Sequence, residues 1–222
     1  MSEPTTELTR SRHKGSQDRE ALNALLDDVR IGHFALIDET HPVVIPSAIV
    51  RDGDRILTHG STGSRWLREL ASGTPTSLAV TSLDALVVAR SAFESSMHYR
   101  SAVLFGRCRV AADPGHALDL MTDALIPGRV AELRRPNARE LAATIVLELP
   151  IRRWSLKISQ GWPDDPDDDV AGPAWAGVVP VRASYGTPVP APDLGPGRDL
   201  PPSVRRLAGL DSGSVAQTVE EQ

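Results

Sequence analysis

The clearest periodicity lies near the N-terminus, where Leu22, Leu25, Leu26 and Val29 recur at helical spacing within residues 17–29. That spacing gathers the apolar side chains on one face and predicts an amphipathic helix, with acidic Asp18 and Glu20 near its positive end. Beyond it the period shortens, and apolar and β-branched residues become dense. RIGHFALID (30–38) ends at an acidic turn, HPVVIPSAIV (41–50) predicts a strand, and RILTHG (55–60) predicts the strand returning from it. Between the last two, RDGD (51–54) supplies a Gly-containing hairpin turn. Pro46 cannot donate to a ladder, so the 41–50 strand belongs at an edge or a bulge.

Helical spacing returns in STGSRWLRELASG (61–73), where Trp66, Leu67 and Leu70 share a face and Gly73 ends the helix. TSLAVTS (76–82) and DALVVAR (84–90) predict two further strands. SSMHYRSAVLFGRCRVAAD (95–113) predicts one long strand, in which Gly106 marks a bulge or a close backbone approach. PGHALDLMTDAL (114–125) predicts a helix with Pro in its first turn, and residues 138–161 start helical and become a strand rich in Val, Ile and Leu. Short strands, two crossing helices and no βαβ alternation predict a mainly β chain with helices (α+β) around a β-barrel core.

Composition changes this picture only toward the C-terminus. Ten of the 18 prolines lie at 163 or later, DDPDDD (164–169) reads as a solvated acidic loop, and 186–222 read as mostly extended or disordered chain. AWAGVVPVRASYG (174–186) is apolar enough to dock on the body. The expected division is a disordered arm (1–16), the barrel (17–161), a docking extension (162–194) and a disordered tail (195–222). A net charge of −5 gives no footprint for nucleic acid or an anionic membrane. No apolar run approaches a signal-peptide core or a membrane span, so the expected setting is cytoplasmic. The single cysteine, Cys108, rules out an intrachain disulfide and reads as a small buried apolar residue.

Three segments carry candidate chemistry. In THGSTGSRWLREL (58–70) a strand ends, a loop of Gly, Ser and Thr follows, and a helix begins; hydroxyls of Ser61, Thr62 and Ser64 and the fork of Arg65 suit a phosphate. The plainer reading is a helix capped by Ser or Thr. In SSMHYRSAVLFGR (95–107) a basic residue stands between an aromatic and a hydroxyl, which suits an anion; the plainer reading is an arginine on a wet strand face. In VVIPSAIV (43–50) an irregular edge offers main-chain groups to a flat ring, or is only an edge. The histidines show no metal-ligand spacing, and no nucleophile triad can be picked out. Binding groups without a reactive side chain suit a protein whose chemistry belongs to a cofactor.

The order of these pieces resembles the pyridoxamine 5′-phosphate oxidase-like, FMN-binding split-barrel superfamily, and within it the flavin-nucleotide-binding branch that includes the Nim-type nitroimidazole-resistance proteins. The resemblance is carried by RIGHFALID, VVIPSAIVRDGDRILTHGSTGSRWLREL, SSMHYRSAVLFGRCRVAAD, ATIVLELPIRRWSLKISQG and WAGVVPVRASYGTPVPAPDL, and covers roughly residues 20–194. It implies a split β-barrel with a Pro-rich C-terminal extension, a homodimer, and FMN shared between the two subunits. It implies main-chain contacts from Ile45, Pro46, Ser47 and Ala48 along the ring edge. His59, Gly60 and Ser61 would lie beside the ring and ribityl chain, with Ser64 and Arg65 on the phosphate. Tyr99, Arg100 and Ser101 would approach from the long strand, and Trp175 would reach across between subunits. The implied activity is FMN-dependent reduction of a small electron-poor, nitroaromatic-like compound.

Two departures separate the chain from the true oxidases. Trp66 follows Arg65 where those carry an Arg-Lys pair, and their substrate-binding arginine and histidine have no counterpart in the Pro-rich tail. Vitamin B6 oxidation is therefore not expected. Other readings of the same fold stay open: a deazaflavin in place of FMN, haem with His59 or His98 as axial ligand, or a flavin-binding sensor module without catalysis.

Overall fold

A computed structural model of the chain describes residues 5–7 and 10–210. Strand β1 (Gly15–Ser16) precedes helix α1 (Arg19–Asp28). α1 starts where it does because the Asp18 carboxylate accepts from the N–H groups of Glu20 and Ala21. Strands β2 (Ile31–Asp38), β3 (His41–Ala48), β4 (Val50–Asp52) and β5 (Arg55–Ser61) lead into α2 (Arg65–Ala71). β6 (Pro75–Val88), β7 (Ser96–Arg107), β8 (Arg109–Val110), α3 (Pro114–Leu125) and α4 (Ala138–Ala142) follow. The chain continues through β9 (Thr144–Pro150), β10 (Arg153–Ser159), α5 (Asp167–Val170), β11 (Gly177–Pro180) and α6 (Pro202–Leu207).

The strands form two antiparallel sheets. One runs β1-β10-β7-β6-β2-β3 with β11 also on β6, and the other runs β4-β5-β9-β8. Phe34, Leu78, Leu104 and Leu156 of the first meet Ile56, Leu147 and Leu149 of the second in one buried cluster. α1 closes that cluster with Leu22, Leu25 and Leu26, and α2 with Leu67 and Leu70. This mainly antiparallel arrangement with a few helices is the split-barrel fold, and β3 takes the sheet edge that Pro46 predicts.

Three segments that read as single strands are divided between the sheets. β3 passes to β4 through Ile49, β7 to β8 through Cys108, and β9 to β10 beside Ile151. Ile49, Cys108 and Ile151 are all buried, so the corners are as apolar as the strands and leave no mark in the hydropathy pattern. The opposite happens at Asp84. The two strands predicted on either side of Leu83 are one strand, β6, with a bulge between Leu83 and Ala85. The hairpin turn is as predicted: Gly53 adopts φ 54° between β4 and β5.

The chain divides into two compact units. The first holds residues 1–121 and 136–182, which include both sheets, and the second holds 122–135 and 183–222. The predicted arm is partly structured, since β1 pairs with β10 and Lys14 Nζ donates to Ser159 Oγ at 3.0 Å. The predicted disordered tail contains α6, so composition misjudges 202–207; residues 211–222 lie outside the described residues. α6 is held within its unit by Glu132, which accepts from the Ser203 N–H at 2.9 Å and the Ser203 hydroxyl at 2.5 Å. Those bonds hold the Glu132 carboxyl below the usual carboxylate range.

Candidate functional site

β5 and the loop after it run back along the free edge of β3. Two contacts pin this segment to the β2–β3 hairpin. At one end Ser47 Oγ lies 2.8 Å from Thr58 Oγ1, and the Thr58 hydroxyl donates to the Ala48 carbonyl at 2.9 Å. At the other end Arg65 pairs with Asp38. Ile45, Pro46, His59, Gly60, Ser61 and Ser64 are all carried on the stretches between these pins. A proline has no N–H for a ladder, so Pro42 and Pro46 turn their nitrogens away from β2. By strand alternation Val44 and Ala48 turn their main-chain groups the same way, toward the free edge. Ile45 and Ser47 share the side of Phe34 and Gly32, the core side, whereas Pro46 and Ala48 face outward.

The loop itself has donors to spare. Ser64 is the residue before α2, yet its side chain makes no capping bond. Ser61 Oγ accepts from the Gly63 N–H at 3.1 Å, which leaves its own O–H free to donate. Arg68 Nη1 is committed to the Thr62 carbonyl at 2.9 Å. Gly60 is closely packed: a Cβ there would stand 2.6 Å from Cδ1 of the buried Leu67, so that side chain would have to move. Trp66 packs against Phe34, with ring centroids 5.8 Å apart. The residue that departs from the oxidase pattern thus fastens α2 to the core. Desolvation lowers the pKa of the partly exposed His59 imidazole, so it is neutral at pH 7.

Tyr99, Arg100 and Ser101 are not brought to β3 within one sheet, because β6 and β2 stand between β7 and β3. Alternation also divides them. Arg100 continues the buried row of Leu104 and Ala102, while Tyr99 and Ser101 lie on the opposite face. Arg100 is fully occupied. Its Nε and Nη2 each donate to Asp84 at 2.9 Å and its Nη1 donates to Asp28 at 2.8 Å. These bonds hold the Asp84 carboxyl below its ordinary value. Arg100, Asp84, His98 and Trp162 line a cavity of about 550 Å³, where His98 Nε2 lies 2.7 Å from the Gly161 carbonyl. Trp175 is exposed and lies over Gly177 of β11, where a Cβ would meet its ring at 2.8 Å.

The outer face of the larger sheet carries exposed aliphatic side chains among its polar ones. Ile31, Ile37 and Val44 are 57%, 62% and 60% exposed, and Leu83, Leu86 and Met97 continue the exposed apolar surface on β6 and β7. Sequence reasoning missed two polar anchors. Asp38 lies 27 residues from the arginine it meets, and Asp165 of the supposed solvated loop takes the Arg90 N–H at 2.8 Å and its guanidinium at 2.9 Å. No local signal marks either pairing. Burial pushes the Cys108 thiol up to about 12, in keeping with an inert core residue. Among the described residues no cluster could hold a metal ion, and no helix is long and apolar enough to cross a membrane.

Comparison with known proteins adds a lineage to this geometry. The family model described as pyridoxamine 5′-phosphate oxidase matches residues 18–158. The FAD and haem binding protein from Mycobacterium smegmatis is 53% identical, with a TM-score of 0.84 over 87% of this chain and 97% of that one. The flavocytochrome Anf3 from Azotobacter vinelandii is 34% identical, also with a TM-score of 0.84, over 91% of this chain and 95% of that one. A 5-nitroimidazole antibiotic resistance protein from Bacteroides thetaiotaomicron shares the fold at 16% identity, with a TM-score of 0.56 over 65% of this chain and 86% of that one. No curated protein matches the chain.

Proposed function

The chain belongs to the pyridoxamine 5′-phosphate oxidase family, and from that premise we propose that it is a flavin-binding redox protein, with FAD rather than FMN as its flavin and haem as a second cofactor. The observation that carries the flavin is the segment of residues 58–65, pinned at both ends to the β2–β3 hairpin. Its donor set fits a phosphate-bearing ligand: the unspent Ser64 hydroxyl, the Ser61 O–H and the Arg65 fork. Main-chain groups at Val44, Pro46 and Ala48 line the edge beside it. FAD is preferred because both relatives that combine high coverage with substantial identity carry either FAD and haem or the name flavocytochrome.

When bound, the flavin supplies hydride and single-electron chemistry and the haem supplies one-electron chemistry. The chain's own residues bind and orient. Arg65, Ser61 and Ser64 hold phosphate, and the β3 edge faces the ring. Two imidazoles suit the haem. His59 is neutral at pH 7, as a metal ligand must be, and His98 spends one ring nitrogen on a carbonyl, as ligating histidines do. The aliphatic side chains of the outer face support a homodimer, since a monomer gains by covering so much exposed aliphatic surface. Tyr99 and Ser101, divided from this segment within one chain, then serve the partner's flavin site.

The absorption spectrum of the purified protein tests this directly. Flavin bands with a Soret band are expected, and mass analysis of the released flavin should give FAD. Release of FMN would return the cofactor to the mononucleotide. Uptake of a deazaflavin in preference to either would move the chain to another cofactor class. A colourless protein that takes up no flavin would end the reading. Loss of the Soret band in His59→Ala or in His98→Ala identifies the axial ligand. Flavin that no NAD(P)H or reductase reduces would make the chain a sensor rather than an enzyme. Val44→Glu should turn the dimer into a monomer by light scattering.

A further inference from the structure

Resting on the flavin reading above, we propose that Asp38 is a specificity-determining residue that favours a dinucleotide flavin over the mononucleotide by charge. Asp38 closes β2, opposite His41, and the next residue, Glu39, turns the hairpin in the left-handed region at φ 54°. The turn holds the Asp38 carboxylate, one-third exposed, against the Arg65 guanidinium. Arg65 is the one cationic side chain within residues 58–65, and the next, Arg68, is spent on the Thr62 carbonyl. A phosphate drawn to Arg65 therefore arrives beside a fixed negative charge.

The two flavins differ in how much charge they bring to that point. The terminal monoester of FMN has a second pKa near 6, so it carries about −1.5 to −2 at pH 7. In FAD each phosphorus bears one ester and one anhydride linkage, so the phosphoryl group at Arg65 carries a single charge and the second charge sits one phosphoryl group further from Asp38. Repulsion from a carboxylate scales with the charge it meets. Asp38 thus lowers the affinity of both flavins and lowers that of FMN more. The same carboxylate holds Arg65 in place before any ligand arrives, so the pair combines positioning with selection.

The test compares FMN, FAD and riboflavin on the full chain stripped of flavin, by quenching of flavin fluorescence at low ionic strength. Asp38→Asn keeps the side-chain shape and removes the charge. FMN affinity should rise about three- to fivefold, FAD affinity by a smaller factor, and riboflavin affinity should not change, as befits an exposed charge. Asp38→Glu should keep the wild-type preference, and added salt should narrow the gap between FMN and FAD. An unchanged FMN-to-FAD ratio in Asp38→Asn, a shift toward FAD, or an equal gain for riboflavin would each overturn the proposal. Failure of all three flavins to bind wild type and variants is a different result: it removes the flavin reading itself, and Asp38 with it.

Discussion

The β5–α2 junction and the middle of β7 both read as anion sites, yet they behave differently in the folded chain. At the junction β5 ends at Ser61 and α2 begins at Arg65, and the short loop of residues 62–64 between them holds the two ends close together. Ser61, Ser64 and Arg65 therefore stay together beside the β3 edge. In β7 the backbone is extended, and successive side chains point to opposite faces. Arg100 goes to the inner row and meets Asp84 and Asp28, while Tyr99 and Ser101 go to the outer face. A run of polar residues is thus one site in a loop and two half-sites in a strand. The junction arginine is 72% exposed and meets one carboxylate, whereas the strand arginine is 25% exposed and meets two.

The largest test of that contrast is Arg100→Leu. It leaves Asp84 and Asp28 without their cation, and unfolding free energy should fall by roughly 2–3 kcal/mol, less than for a fully buried pair. Denaturant melts check this, and flavin affinity per folded monomer should hold. Arg65→Ala should do the reverse: flavin affinity falls by about 1.5–3 kcal/mol, the range for a hydrogen bond to a charged group, with stability within about 0.5 kcal/mol of wild type. Equal stability losses in the two variants would erase the contrast.

Gly60→Ala sharpens it on the packing side. The new Cβ meets the tip of the buried Leu67 side chain, so Leu67 of α2 must repack, at a cost of about 1–3 kcal/mol in stability. Flavin affinity should fall with it, because Arg65 is the first residue of α2.

The smallest effect is in pH. The His59 pKa is lowered in the folded state, so the unfolded chain binds the proton more readily. Its contribution to stability is present above the unfolded value near 6.5 and is lost as pH falls from there through the lower folded value. His59→Gln should flatten the melting temperature in that acidic window and leave it unchanged above pH 7.5.

Much of this was legible from local pattern. Asp18 before Leu22, Leu25 and Leu26 specified α1, RDGD specified a hairpin, and Pro46 specified an edge. Gly106 marked a close approach, now seen against Leu149. The sheet changes at Ile49, Cys108 and Ile151 were not legible, because a buried corner residue looks like any other strand residue. Leu83 read as a break between strands because a bulge and a turn tolerate the same polar neighbour, here Asp84.

By itself the amino-acid order determined the period of each element, the caps and turns, the apolar faces and the string of donors at 58–65. Those depend on interactions within a few residues. Only the tertiary structure decided which strands share a sheet, which arginine is enclosed by two carboxylates and which stays exposed, and that Asp38 pairs with Arg65. Such choices depend on groups tens of residues apart, whose encounter is set by how the two sheets close on one core.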